Sequence, residues 1–259
     1  MSSDTYLTTS DGSPMQLVRV SPTHGDGPWP ALIFCMDAGG LRPELTEMAQ
    51  RIADESGVVV FMPDLFFRLG SIYDLLPPGT PRTMASFGGF LQTPGARELW
   101  ASRFQRPATA LAYLQDIGEV VLAAIDADPQ VVPGPVAVTG YCIGGHVALK
   151  LAALLARVDT CACFHGGAIV SDQPDSPHRL ADRMHARVYI GGASADPSYS
   201  DAAQVALSEA FTAARLDFTL ELYAGRHGFA VPGHPSFDAP SAERHYAVLR
   251  ELLSARSDS

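Results

Sequence analysis

The chain has 259 residues, 47% of them apolar, which is enough for one sizeable α/β core and excludes a disordered chain. Its formal net charge is −10, Lys150 is the only lysine and no basic cluster occurs, so nucleic acid and an anionic membrane surface are excluded as partners. The first residues lack the basic and apolar regions of a signal peptide, and the apolar runs at 31–36 and 147–156 are too short to span a bilayer, so a soluble cytoplasmic protein is expected, monomeric or homodimeric.

Taken in chain order, 6–9 and 16–20 flank Asp11-Gly12 and predict a β-hairpin at the start. Residues 31–36 form a continuous apolar run, the pattern of a strand buried on both faces. After Asp37-Ala38-Gly39-Gly40, apolar residues recur at Leu45, Met48, Ala49 and Ile52, the period of an amphipathic helix over 43–55. A second buried strand is expected at 58–62. The alternation of apolar strand and helix predicts a mostly parallel sheet with helices on both faces.

From about 66 to 96 the rhythm lapses. Pro77, Pro78, Gly79, Pro81, Gly88, Gly89, Pro94 and Gly95 punctuate a stretch that carries Phe66, Phe67, Tyr73, Phe87 and Phe90. So long a loop, with aromatics to pack, is expected to be a lid-like insertion within a single domain spanning 1–259. Helical character returns at 96–104 and again after Pro107, with Leu111, Leu114, Val121, Leu122 and Ile125 on one face. Further on, strands are expected at 136–141, 161–165, 187–190 and 218–223, and helices at 144–155, 201–214 and 241–254.

The strand at 136–141 runs into Gly140-Tyr141-Cys142-Ile143-Gly144-Gly145. A nucleophile at the tip of a strand-to-helix turn is held in a strained backbone conformation with neighbours packed close, and Gly140 and Gly144 leave the room that turn needs. The following helix aims its N-terminal amides at Cys142, where they favour a thiolate and a developing oxyanion. Four cysteines in a chain of this length do not make a disulfide scaffold. Cys35, Cys161 and Cys163 lie in predicted strands as packing residues, and Cys142 stands on a turn.

Two further residues follow strand ends, where open α/β sheets place their sites. Asp196 comes after the strand at 187–190 and His227 after the strand at 218–223, which gives the order nucleophile, acid, His. His227 can carry the proton between nucleophile and leaving group, and Asp196 can fix its tautomer. The oxyanion is expected to bind the backbone N–H of Ile143, with a second from Ala38 in the loop after the strand at 31–36. Tyr141 and Phe229, beside the nucleophile and the His, are candidate substrate contacts. The segment His165-Gly166-Gly167 is similar to a lipase oxyanion motif but follows the nucleophile instead of preceding it, so it is read as a strand end near the site. No H-E-x-x-H or comparable ligand spacing occurs, so no metal and no cofactor are expected.

With Met36-Asp37, Pro63-Asp64-Leu65-Phe66, the elbow, Gly192 to Asp196 and Arg226-His227-Gly228-Phe229 in this order, the chain resembles the dienelactone hydrolase family over about 30–230. The resemblance implies an α/β-hydrolase fold and cofactor-free hydrolysis of an ester or lactone through an acyl-cysteine, with Cys142, Asp196 and His227 as the triad. It also assigns the position of Asp37 to an acidic residue that controls the ionisation of the nucleophile. Four residues past the triad His, where true dienelactone enzymes bind the substrate carboxylate with an Arg, this chain has Val231, so a neutral ester or lactone is favoured. The resemblance also implies a second substrate-binding Arg from the region 82–106, for which Arg97 beside Trp100 is the candidate. The alternatives are a general carboxylesterase or thioesterase, and a thiol-based redox or ligand sensor on the same fold.

Overall fold

In the computed structural model, which describes residues 2–255, the two apolar runs become β3 (Trp29–Cys35) and β4 (Val59–Pro63), with β4 buried along its whole length. They sit in an eight-stranded sheet together with β1 (Ser2–Thr8), β2 (Pro14–Val20), β5 (Val131–Tyr141), β6 (Val158–Phe164), β7 (Arg187–Ala193) and β8 (Phe218–Tyr223). The spatial order is β1-β2-β4-β3-β5-β6-β7-β8. From β4 to β8 every neighbouring pair is parallel, and strands buried on both faces read as unbroken apolar runs. The expected hairpin is β1 paired antiparallel with β2, which in turn pairs antiparallel with β4.

The helices are α1 (Pro43–Ser56), α2 (Met84–Phe90), α3 (Ala96–Trp100), α4 (Arg106–Ala108), α5 (Leu111–Asp126), α6 (Ile143–Leu154), α7 (Asp201–Ala213) and α8 (Ala239–Ser254). The predicted apolar face of α1 is the buried one, and α1 packs with α8, whereas α5 packs with α6. The sheet is thus flanked by two separate helix groups, the arrangement that hides both of its apolar faces. No single helix among the described residues is long and apolar enough to cross a membrane. Helix α6 is buried nearly all round, and its one charge is compensated: the Lys150 ammonium donates to Asp175 and to the Thr109 carbonyl, both at 2.7 Å.

Pro107 does not start the long helix as the sequence suggested. Helix α3 continues through a wider π turn at Ala101–Gln105 into α4, which contains Pro107, and α5 begins only at Leu111. The break falls at Thr109, whose hydroxyl donates back to the Gln105 carbonyl at 2.8 Å and closes the turn. The aromatics of this region pack on one another. Trp100 stacks on Phe104 at 5.6 Å and meets Phe87 and Phe66 edge-on, while Phe67 stacks on Tyr113. Their packing explains why a Pro/Gly-rich stretch is ordered: rings bury large apolar area at a low cost in rotamer entropy.

Candidate active site

Strand β5 ends at Tyr141, and the next residue carries the turn. Cys142 has φ 56° and ψ −120°, a conformation that an L-residue holds only when its surroundings enforce it. They do. A Cβ on Gly140 would land on the carbonyl of Gly144, and a Cβ on Gly144 would land on the carbonyls of Cys35 and Met36. The elbow is thus clamped against the end of β3 and the loop after it, an approach that only glycine permits. The carbonyl of Cys142 accepts from the amides of Gly145 at 3.1 Å and Gly167 at 3.0 Å. Its N–H donates to the Phe164 carbonyl and to His165 Nδ1, each at 3.2 Å. That amide is therefore consumed by the scaffold and is not the one that faces a substrate oxyanion.

Asp196 follows β7 and His227 follows β8, and the structure brings them together: His227 Nδ1 donates to Asp196 Oδ2 at 2.6 Å. The other carboxylate oxygen accepts from the Ser198 amide at 2.9 Å and the Ser198 hydroxyl at 2.7 Å, so Asp196 cannot swing away. Burial pushes the Asp196 carboxyl up, and the bonds from His227 and Ser198 outweigh it and hold it below the usual carboxylate range. On its other side His227 feels the Cys142 sulfur electrostatically. Burial alone would lower the imidazole, but the Cys142 sulfur and the Asp196 carboxylate outweigh it and raise His227 from 6.5 to about 10. The Cys142 sulfur and the Asp196 carboxylate therefore both favour the protonated form of the ring.

A direct consequence is measurable. By NMR the His227 imidazole should titrate near pH 10, and in Cys142→Ala its midpoint should fall toward 6.5, because the largest favourable contribution is gone. Equal midpoints in the two proteins would show that the sulfur is not the partner of the imidazole.

The other expected site residues divide. Ala38 is buried in the turn after β3, next to the carbonyls that clamp Gly144, and Ile143 opens α6. Asp37, expected to act on Cys142, has its carboxylate buried against Arg42, which donates to Oδ1 at 2.5 Å and Oδ2 at 2.8 Å, and the Gly39 amide donates to Oδ1 at 2.9 Å. Tyr141 and Phe229 are corrected as substrate contacts, since neither is exposed at all. The Tyr141 hydroxyl hydrogen-bonds His245 Nε2 at 2.6 Å inside the core, and Phe229 stacks on Tyr223 at 4.6 Å. Each follows or precedes a reacting residue in sequence, but neighbours along a strand or tight turn point to opposite sides. Trp100 is half-buried in the aromatic cluster, and Arg97 is exposed on α3 with no contact to the triad among the described residues.

Sequence reasoning placed His165-Gly166-Gly167 near the site without giving it a part. In the structure it forms the floor: Gly167 holds the Cys142 carbonyl, and His165 lies edge-on to His227 with ring centroids 5.1 Å apart. A cleft of about 270 Å³ opens beside Ala38, walled by Gly39, Leu41, Phe66, Phe67 and Ile72. A larger cavity of about 440 Å³ lies at the opposite ends of β5 and β6, among Gly134, Arg157 and His185, and touches no triad residue. Neither cavity is lined by a triad residue, and the smaller one adjoins Ala38 in the loop after β3, against which the elbow is clamped. Among the described residues, no group of three or more His, Cys, Asp or Glu side chains is arranged to hold a metal ion.

Known proteins share this arrangement of elements. The family model described as the dienelactone hydrolase family matches residues 15–257. A Synechocystis sp. protein, provisionally named carboxymethylenebutenolidase, is 25% identical over 231 residues, covering 88% of this chain and 86% of its own. A Klebsiella pneumoniae crystal structure, provisionally named dienelactone hydrolase, superposes with a TM-score of 0.79 at 19% identity, covering 98% of each chain. A dienelactone hydrolase-like promiscuous phosphotriesterase from metagenomic libraries gives 0.69 at 21% identity, again over 98% of each chain.

Proposed function

The chain belongs to the dienelactone hydrolase family, and from that premise we propose that it hydrolyses an uncharged carboxylic ester or lactone through an acyl-cysteine intermediate. The observation that carries this reading is Cys142 on its strained elbow, in contact with a His227 that Asp196 holds at 2.6 Å. The Cys142 thiolate attacks the carbonyl carbon, and the amides of Ile143 and Ala38 receive the oxyanion. Collapse breaks the ester bond, and the leaving alkoxide takes the proton from His227. The sulfur is now a thioester and has lost its charge, so the chief influence that kept His227 protonated has gone. The neutral imidazole accepts a proton from water as the water attacks the thioester, and collapse releases the acid and restores the thiolate and imidazolium. Asp196 stays ionised throughout and keeps the Nδ1 proton in place. The stretch at 66–96 serves as the lid in this reading, since it supplies Phe66, Phe67 and Ile72 to the wall of the cleft.

Two features favour an uncharged substrate. Val231, where the family's carboxylate-binding Arg stands, is fully buried. Arg42, on the loop that bears Ala38, has its guanidinium forked on Asp37, so that pair carries no net charge. Turnover of an uncharged enol lactone or aryl ester should exceed that of a carboxylate-bearing dienelactone of similar size by about tenfold or more in kcat/KM, since one unpaired charge in a dry site costs at least that much. A clear preference for the anion would overturn this assignment and make Arg42 or Arg97 its binding partner.

A further inference from the structure

His165 stands directly behind the nucleophile. It follows β6 in the left-handed region at φ 38°, and its amide donates to the Gly191 carbonyl at 2.8 Å. Its ring is fully buried and its Nδ1 accepts the Cys142 N–H at 3.2 Å. An imidazole whose Nδ1 accepts from an amide carries its proton on Nε2. That Nε2 is buried and has no hydrogen-bond partner within the protein. An unpaired buried donor destabilises a fold, and a leucine of similar size would avoid it. What the imidazole supplies and a leucine does not is the Nδ1 acceptor.

The groups that face this ring leave Nδ1 free to accept. They are Tyr141 and Cys142 from the elbow, His227 and His234 from the segment after β8, and His245 from α8. Burial first, and then the three histidines, push His165 well below the usual histidine range, so it is neutral throughout the pH range of an assay. Its edge meets His227 at 5.1 Å and Phe229 at 5.2 Å, which leaves the ring little freedom to turn away.

We propose that His165 is a positioning residue for the hydrolysis: its Nδ1, by holding the Cys142 amide, fixes the elbow so that the Cys142 sulfur stays against His227. The inference rests on Cys142 being the nucleophile. It differs from a role in packing because it assigns the effect to one acceptor atom and not to the volume of the ring.

Three variants separate these. His165→Leu removes the acceptor and keeps the bulk. His165→Gln places its amide near the Nε2 position and also lacks an Nδ1 acceptor, whereas His165→Asn puts its Oδ1 where Nδ1 was and tolerates the left-handed backbone. With an uncharged aryl ester, kcat should fall roughly 10- to 100-fold in the Leu and Gln variants with KM nearly unchanged, and the Asn variant should stay within about threefold of the parent. The NMR midpoint of His227 should drop below its parent value of about 10 in the first two and hold in the third. If the Leu variant does not fold, the contrast of Gln with Asn decides. Parent-like kcat and His227 midpoint in His165→Gln would overturn the proposal, as would an Asn variant as slow as the Gln variant. Cys142→Ala is assayed alongside: turnover retained there would remove the nucleophile assignment itself, whereas an inactive Cys142→Ala with an unimpaired His165→Gln would remove this inference alone.

Discussion

Cys142→Ala protein should lose at least about 10⁴-fold in kcat for ester hydrolysis while melting at the temperature of the parent protein. The size follows from the chemistry. In the proposed mechanism there is no acyl-enzyme without the sulfur, and the amides of Ile143 and Ala38 can only polarise the carbonyl toward a water that nothing positions. A residual rate of about 10³-fold over water is expected from oxyanion binding alone. The fold should tolerate the change, because the sulfur is half-buried and the backbone bonds of Cys142, to Phe164, His165, Gly145 and Gly167, survive it. The measurement is steady-state turnover of an aryl ester alongside thermal unfolding. Full activity in this variant would end the acyl-cysteine mechanism, and a collapse in melting temperature would leave the loss of activity without a chemical meaning.

Gly144→Ala, like Gly140→Ala at the other side of the elbow, should be strongly destabilising. Its Cβ would meet the carbonyls of Cys35 and Met36, which are backbone atoms at the end of a central strand and cannot rotate aside. Either α6 lifts off β3 or the strand end moves, and overpacking of this kind costs about 3 kcal/mol or more. For a chain of this size that corresponds to a fall of roughly 10 °C in melting temperature. Activity should fall beyond what stability explains, since any retreat of α6 separates the Ile143 amide from the Ala38 amide, the two donors of the proposed oxyanion hole, and a donor displaced by an ångström is largely lost. Differential scanning calorimetry with ester turnover below the transition tests both. A variant with the parent melting temperature would mean that α6 is not clamped against β3 at Gly144.

Much of this was legible in the sequence because it rests on local physics. Apolar runs at 31–36 and 58–62 can only be strands buried on both faces, and the period of Leu45, Met48, Ala49 and Ile52 is helical, so a parallel sheet between helix layers follows. The clustering of Gly140, Cys142 and Gly144 at a strand end marks an elbow, and Asp196 and His227 stand at the ends of β7 and β8. The structure joins His227 to Asp196 across 31 positions of sequence. What misled the reading was proximity along the chain. Tyr141 and Phe229 adjoin reacting residues and yet point into the core, and Asp37 has an Arg42 five positions on whose guanidinium claims both of its oxygens.

The sequence by itself determined the element types, the parallel architecture, and which residue types stand at the strand ends, because periodicity and turn chemistry act over a few residues. Only the tertiary structure decided the partners: that Asp37 belongs to Arg42, that Trp100 belongs to an aromatic cluster, and that His165 packs against both the Cys142 backbone and the His227 ring. These are contacts between side chains from separate strands and loops. They depend on angles and on which neighbour reaches an acceptor first, and a one-dimensional pattern carries neither.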